Sequence, residues 1–333
     1  MDFHGNMKAF LNLIRWPNLV IVALTMILMR YAVIEPVISK IDVFLVSSPG
    51  SALPLSLQLP WYDFAVLVLA TLLITAGGYV INDYFDIKTD LINKGEVIVG
   101  TKIPRRKAMM WHNLLNVAGV LAGFYISWKA GYFWMGLLFL VVSGLLYFYS
   151  ASYKRQFLVG NFIVALLTGM VPMLVAVYEW PSMYRFYAVN ASSPPDLSII
   201  FYWIGGFAIF AFLTTLIREI IKDIEDFEGD QAYGRNTIPV VTGIFTAKMI
   251  SVLLIAITIG LLYFVWHFFL NDEITLIYLC TTVVLPLLYV VIKVIKSSGR
   301  KQLHNASRMM KIVMIAGVLY SIVAKLILEQ NLV

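Results

Sequence analysis

Long apolar runs recur from one end of this chain to the other, separated by shorter polar segments. The runs are continuous, not alternating, so they read as helices rather than strands. Lipid offers backbone groups no hydrogen-bond partners, which leaves helices or closed barrels as the structures able to cross it. About nine runs approach the ~20 residues that a bilayer requires. They lie near 17–35, 62–82, 111–129, 131–149, 157–178, 198–219, 247–269, 273–293 and 309–328. The pattern predicts an all-α, polytopic membrane bundle of about nine helices, in a single domain spanning 1–333 with no separating linker. The connections 36–61 and 179–197 are the longest expected on the outer side; both hold Pro, Ser and few charges.

Composition agrees with this pattern. Of 333 residues, 60% are hydrophobic and 13% charged, against about 25% charged in soluble domains. The single cysteine, Cys280, lies in an apolar run. It has no partner for an internal disulfide, and a small core residue is expected there. The N-terminus is polar up to Asn18 and shows no A-x-A cleavage pattern, so the first run reads as a retained span.

The net charge of +6 raises the question of nucleic acid, and its distribution answers it. With the N-terminus in the cytoplasm, every Lys and Arg falls on cytoplasmic connections except Arg30, Lys40, Lys129, Arg185 and Lys325. The positive-inside rule produces this asymmetry. It favours an odd number of spans and an external C-terminus. The basic charge therefore reports orientation; no nucleic-acid partner is expected, and no obligate protein partner is evident.

The acids are distributed unevenly as well. Nine of the 19 acidic residues fall near two short windows, Asn82–Asp90 and Glu219–Asp230. Both windows contain D-x-x-D-x-x-x-D. Asp83, Asp86 and Asp90 correspond to Asp223, Asp226 and Asp230, each pair 140 residues apart. On one continuous helix the offsets 0, 3 and 7 point within about 60° of each other. Each triplet is thus expected to form a carboxylate stripe, at the cytoplasmic ends of the second and sixth spans, where the two can face each other. Like charges so placed repel, unless a cation belongs between them. Hard oxygen donors suit Mg²⁺, which completes its shell with water and phosphate oxygens. Solvated loop acids would explain one such motif, but not two with identical spacing at membrane ends.

Basic residues stand close by in sequence: Lys154 and Arg155 after the fourth span, Arg218 and Lys222 before the second triplet. Topology explains any one of them equally well. As a set they would offset the charge of an anionic leaving group. Other chemistry-bearing motifs are missing. There is no H-E-x-x-H, no phosphate loop and no G-x-G-x-x-G. His4, His112, His267 and His304 are scattered and read as surface or packing residues. Gly77-Gly78 is expected to permit close helix packing.

The two motifs and the span layout resemble the UbiA superfamily of intramembrane prenyltransferases over nearly the whole chain. The family's first signature, N-D-x-x-D-x-x-x-D, stands here at Asn82–Asp90, and its second at Asp223–Asp230. The resemblance implies a central active-site cavity and two Mg²⁺ ions. Asn82, Asp83, Asp86 and Asp90 would serve one ion, and Asp223, Asp226 and Asp230 the other. It further implies an isoprenyl diphosphate donor, with Lys154, Arg218 and Lys222, joined by Arg155 and Tyr149, on the diphosphate. The allylic C–O bond ionises, the acceptor attacks the cation, and pyrophosphate leaves. The apolar tail would lie in a tunnel open to membrane lipid.

Two departures stand out. Many members carry Tyr-x-x-x-Lys after the fourth span; here Tyr149 lies five residues before Lys154, and Tyr153 one before it. Many quinone-pathway members follow the first motif with a Pro-rich stretch; here residues 92–100 contain no proline. The run Arg218–Asp230, followed by Asn236-Thr237-Ile238-Pro239, looks most like the branch acting on geranylgeranylglyceryl phosphate in ether lipid synthesis. The alternative acceptor is an aromatic quinone precursor, 1,4-dihydroxy-2-naphthoate or 4-hydroxybenzoate. A reading from another class, a cation-coupled transporter, predicts acids near the bilayer midplane, whereas these lie at span ends.

Overall fold

A computed structural model describes residues 3–46, 52–94 and 97–330. Residues 47–51 of the first outer connection, Gly95 and Glu96 of the segment after the first motif, and the expected external terminus Val333 lie outside that range. The helices cluster into two compact units. One comprises Met1–Leu24, Leu59–Gly160 and Glu228–Thr237; the other comprises Thr25–Gln58, Asn161–Phe227 and Ile238–Val333. Each is assembled from separated stretches of sequence, so no linker marks a boundary.

Among the described residues, eight helices are long and apolar enough to span a membrane. They are Trp16–Ile38, Trp61–Phe85, Phe133–Ala151, Val159–Asn190, Ser198–Glu225, Ile244–Leu270, Glu273–Ile295 and Arg300–Glu329. The protein is an integral membrane protein. The expected span at 111–129 forms the helix Arg105–Lys129, which is long enough but more polar. It packs along Trp61–Phe85, and its polar groups are satisfied locally. The Asn116 amide donates to the His112 carbonyl at 2.8 Å, and Ser143 Oγ donates to Asn116 Oδ1 at 2.6 Å. Gly77 permits this approach and Gly78 that of Phe133–Ala151, as expected: a Cβ at Gly77 would strike Asn116, and one at Gly78 would meet Leu146 at 3.0 Å.

In the first unit Ala9, Leu13, Val80, Val99, Ile103 and Ala108 form a buried cluster, with Tyr84 and Ile87 packed against it. These two residues flank Phe85 and Asp86, so the cluster anchors the end of the Trp61–Phe85 helix. In the second unit Ile217, Ile220, Ile221 and Ile224 of Ser198–Glu225 share a core with Val283, Leu287, Val290, Met310 and Val313.

Two local expectations fail. The expected 179–197 connection is helical as far as Asn190, because the Val159–Asn190 helix runs through it, and the 36–61 connection carries a short hairpin in which Asp42–Phe44 pairs antiparallel with Ala52–Pro54. Its continuation is tied to the end of the Val159–Asn190 helix, Val46 N–H donating to the Asn190 carbonyl at 2.8 Å. Cys280 is exposed rather than a core residue. The outside of a membrane helix is as apolar as its inside, so an apolar run does not identify a buried face.

Candidate active site

The seven-residue offset of each triplet does not run along one helix. Trp61–Phe85 ends at Asp86, whose φ of −90° and ψ of 1° interrupt it, and a short helix, Ile87–Lys94, follows. Ser198–Glu225 ends the same way at Asp226, with φ −95° and ψ 9°, before the helix Phe227–Ala232. In both motifs the first aspartate closes the long helix, the second occupies the break, and the third lies on the short helix.

In the first unit this places Asn82, Asp83, Asp86, Asp90 and Asp230 with three cations. Lys154 Nζ lies 2.7 Å from Asp86 Oδ1 and 3.2 Å from Asn82 Oδ1. Arg235 Nη2 lies 2.6 Å from the same Asp86 oxygen and 2.6 Å from Thr89 Oγ1, and its Nη1 lies 3.3 Å from Asp230 Oδ1. Arg15 Nη2 donates to Asp83 Oδ1 at 2.7 Å, with its guanidinium over the Tyr79 ring. The burial of Asp86 alone would push its carboxyl up, but Lys154 and Arg235 outweigh burial and hold it at about 2. Burial likewise disfavours the charge on Arg235, and Asp86, Asp230 and Asp90 outweigh it, so the guanidinium stays cationic.

Unusual backbone turns aim these cations. Arg15 is itself left-handed, with φ 51°, in the turn between Phe3–Leu13 and Trp16–Leu28. Lys154 lies in a 3-10 turn, Tyr153–Arg155, after the helix Leu137–Ala151. The chain then reverses through Leu158, φ 62°, to Gly160, where an added Cβ would lie 2.7 Å from the Lys154 Cα. Left-handed non-glycine residues cost roughly 1–2 kcal/mol and persist where surrounding structure holds them. Gly234, φ 62°, ends the Phe227–Ala232 helix as a Schellman cap: its N–H bonds the Gln231 carbonyl, and the Arg235 N–H bonds the Asp230 carbonyl at 2.9 Å.

In the second unit, Asn161 Nδ2 donates to Asp223 Oδ2 at 2.8 Å. Arg300 Nη2 lies 3.4 Å from Asp226 Oδ1, and His304 Nδ1 lies 2.8 Å from Glu225 Oε1. Arg218 pairs with its neighbour Glu219 at 2.5 Å, and Lys222 is half-buried on the same helix. The two units therefore divide the second motif: Asp223 and Asp226 belong to one, Asp230 to the other. Of the remaining expected residues, Tyr149 is half-buried in the last turn of its helix. Arg155 is exposed, and its carbonyl accepts from Asn236 N–H at 2.9 Å.

Sequence reasoning missed Arg15, Thr89, Asn161, Arg235 and Arg300. In the sequence, Arg15, Arg235 and Arg300 read only as cytoplasmic charge. Gly234, next to Arg235, was the available signal, a turn residue after a short acidic helix.

Among the described residues no three acidic, His or Cys side chains already converge as a metal cage. Oxygen donors are gathered instead around cationic side chains, from Asn82 and Asp86 on Lys154, and from Asp86, Thr89 and Asp230 on Arg235. Hard oxygens already drawn to positive charge are the donor chemistry that Mg²⁺ takes.

Comparison with known proteins bears on family and fold. A model of the UbiA prenyltransferase family matches residues 43–315. The chain is 30% identical over 272 residues to digeranylgeranylglyceryl phosphate synthase of Thermococcus kodakarensis, covering 81% of this chain and 88% of that protein. Its fold is similar to a solved structure described as digeranylgeranylglyceryl phosphate synthase, with a TM-score of 0.61 at 21% identity, covering 95% of this chain and 99% of the other. It is also similar to a UbiA homologue from Archaeoglobus fulgidus bound to DMAPP and Mg²⁺, with a TM-score of 0.52 at 20% identity, covering 94% and 99%.

Proposed function

The chain belongs to the UbiA prenyltransferase family, and from that premise we propose that it transfers a prenyl group from an isoprenyl diphosphate to geranylgeranylglyceryl phosphate, with Mg²⁺. The observation that carries the reading is the doubled aspartate motif, each copy ending a membrane helix, with Lys154 and Arg235 set on the first. The glycerol-phosphate acceptor is supported by the relative's name and by the Arg218–Asp230 run. The Mg²⁺ is supported by the metal reported in the Archaeoglobus homologue.

Mg²⁺, when bound, would neutralise the diphosphate and ease cleavage of the allylic C–O bond. Asn82, Asp83, Asp86 and Asp90 are proposed to hold one ion, and Asp223, Asp226 and Asp230 a second. Lys154, with Arg155, Tyr149, Arg218 and Lys222, is assigned to the diphosphate, where fixed cations stabilise charge on the leaving oxygen. The C1–O bond to diphosphate breaks, and the glycerol hydroxyl oxygen forms an ether bond to C1. Its proton leaves with pyrophosphate or water. From the distribution of Lys and Arg, the proposal has the reaction on the cytoplasmic side, with the N-terminus cytoplasmic and the C-terminus external.

The test offers the purified protein prenyl diphosphates of several lengths, with glycerol-phosphate or aromatic acceptors, and identifies products by mass. An ether lipid phosphate is expected. A prenylated naphthoate or benzoate, with no ether product, would replace the proposed acceptor.

A further inference from the structure

Arg235 holds together groups that are otherwise far apart in sequence. Its guanidinium contacts Asp86 of the first motif, Asp230 of the second, and the Thr89 hydroxyl. We propose that Arg235 is a built-in substitute for metal, holding, beside Thr89, the Asp86 and Asp230 oxygens that the two ions would take until a diphosphate draws it away. Metal and diphosphate would then load together rather than in either order. The inference deepens the proposed function and rests on it.

Three observations support it. The position is built: the Schellman turn at Gly234 fixes the backbone of Arg235 against Asp230, and Thr89 holds Nη2 at 2.6 Å. The guanidinium engages carboxylate oxygens that a metal would need; Asp86 Oδ1 already carries Lys154 as well as Arg235, and a metal added as a third cation on that oxygen would be repelled by both. The arginine also keeps a donor in reserve. Its Nε is buried and has no hydrogen-bond partner among the described residues. An incoming phosphate can use that donor, because the guanidinium fork matches phosphate oxygens two at a time.

The energetics follow from these contacts. Moving Arg235 aside for a bare metal ion leaves a poorly solvated guanidinium without its carboxylates, which is costly. A diphosphate supplies a replacement anion at the moment the carboxylates are released to the metal. Mg²⁺ alone therefore competes with Arg235, while Mg²⁺ arriving with diphosphate does not.

The experiment titrates full-length protein in detergent with Mn²⁺ as a spin probe, with and without inorganic pyrophosphate. Wild type should bind Mn²⁺ weakly alone and more tightly with pyrophosphate, within the ordinary coupling range of about 5–150-fold. R235Q should bind Mn²⁺ alone at least about fivefold more tightly than wild type and lose most of the pyrophosphate enhancement, a coupling at the low end of that range. A general loss of structure would not tighten metal binding. T89A, which removes one restraint on the guanidinium, should shift both quantities in the same direction and serves if R235Q does not fold. Mn²⁺ affinity no higher in either folded variant, with pyrophosphate enhancement intact in wild type, overturns the proposal and leaves the diphosphate reading standing. Wild type showing no pyrophosphate-dependent Mn²⁺ binding overturns both.

Discussion

Asp86 and Asp226, 140 residues apart, end their helices in the same backbone conformation: φ −90° and ψ 1° at one, φ −95° and ψ 9° at the other. This sparsely populated region near ψ 0° is one that active-site residues often occupy. The repeat is therefore conformational as well as chemical. In each copy the break separates the three carboxylates onto a long helix, a cap and a short helix. In the first copy that separation lets Asp83 meet Arg15 while Asp86 meets Lys154 and Arg235.

Asp86→Asn and Asp226→Asn should each lower Mg²⁺-dependent pyrophosphate release by more than about 100-fold, since even groups that only orient metal ligands are worth about 10–100-fold. Both proteins should remain in the membrane fraction. Asn keeps the shape and removes the charge, so the cations around Asp86 lose a counter-ion without losing a neighbour. Turnover within a fewfold of wild type in either variant would remove that motif from the metal site.

The sequence carried the helices, the doubled motif and the identity of its carboxylates, because each is a matter of local spacing. It did not carry the breaks at Asp86 and Asp226. Neither motif contains a Pro or Gly at the break, and an uninterrupted helix fits the offsets equally well. Arg235 was hidden for a different reason. In a membrane protein a cytoplasmic arginine already has an explanation in topology, so nothing local distinguished it from Arg105 or Arg106. What distinguishes it is tertiary, the turn at Gly234 and the approach to Asp86. Cys280 shows the same ambiguity in the apolar half of the code, where lipid-facing and core positions look alike.

Gly160→Ala tests how Lys154 is aimed. The new Cβ would sit 2.7 Å from the Lys154 Cα and 3.2 Å from the Tyr153 carbonyl, both backbone atoms that cannot swing aside. Overpacking of this kind costs about 1–3 kcal/mol, and relief should come from displacing the 3-10 turn. KM for the prenyl diphosphate should rise about tenfold, the equivalent of 1.4 kcal/mol. Gly144→Ala, where a Cβ meets nothing within 4 Å, should behave as wild type. Equal kinetics for the two variants would mean that the turn does not set the position of Lys154.

Asn161→Leu tests the second motif from outside it. The Asn161 amide is a donor to Asp223 Oδ2 from the start of the Val159–Asn190 helix, and Asn161 is buried. As a positioning residue it should affect the metal requirement more than substrate binding. Half-saturating Mg²⁺ should rise about 10–100-fold, with saturating Mg²⁺ restoring much of the rate. Asn161→Gln should recover part of the loss. A fall in maximal rate with no change in metal dependence would assign Asn161 to packing alone.

Arg30 and Glu179 offer a prediction about stability rather than chemistry. Arg30 Nε lies 2.6 Å from Glu179 Oε1, with side chains 2% and 0% exposed, inside the spans Trp16–Ile38 and Val159–Asn190. Arg30 was one of five basic residues that departed from the charge asymmetry, and the pairing accounts for it: a neutralised cation carries little weight in orientation. Lys325, another of the five, donates to the Tyr31 carbonyl at 3.2 Å and lies 3.6 Å from Glu329. Removing one member of a buried pair strands the other, so Arg30→Met should destabilise the protein by about 3–5 kcal/mol. The double variant Arg30→Met, Glu179→Leu should recover most of that loss, because an apolar pair of similar volume needs no desolvation. Thermal unfolding in detergent, run as a double-mutant cycle, reads both quantities. If the double variant falls by the sum of the two single losses, the two charges are not coupled and the pair does not stabilise this part of the fold.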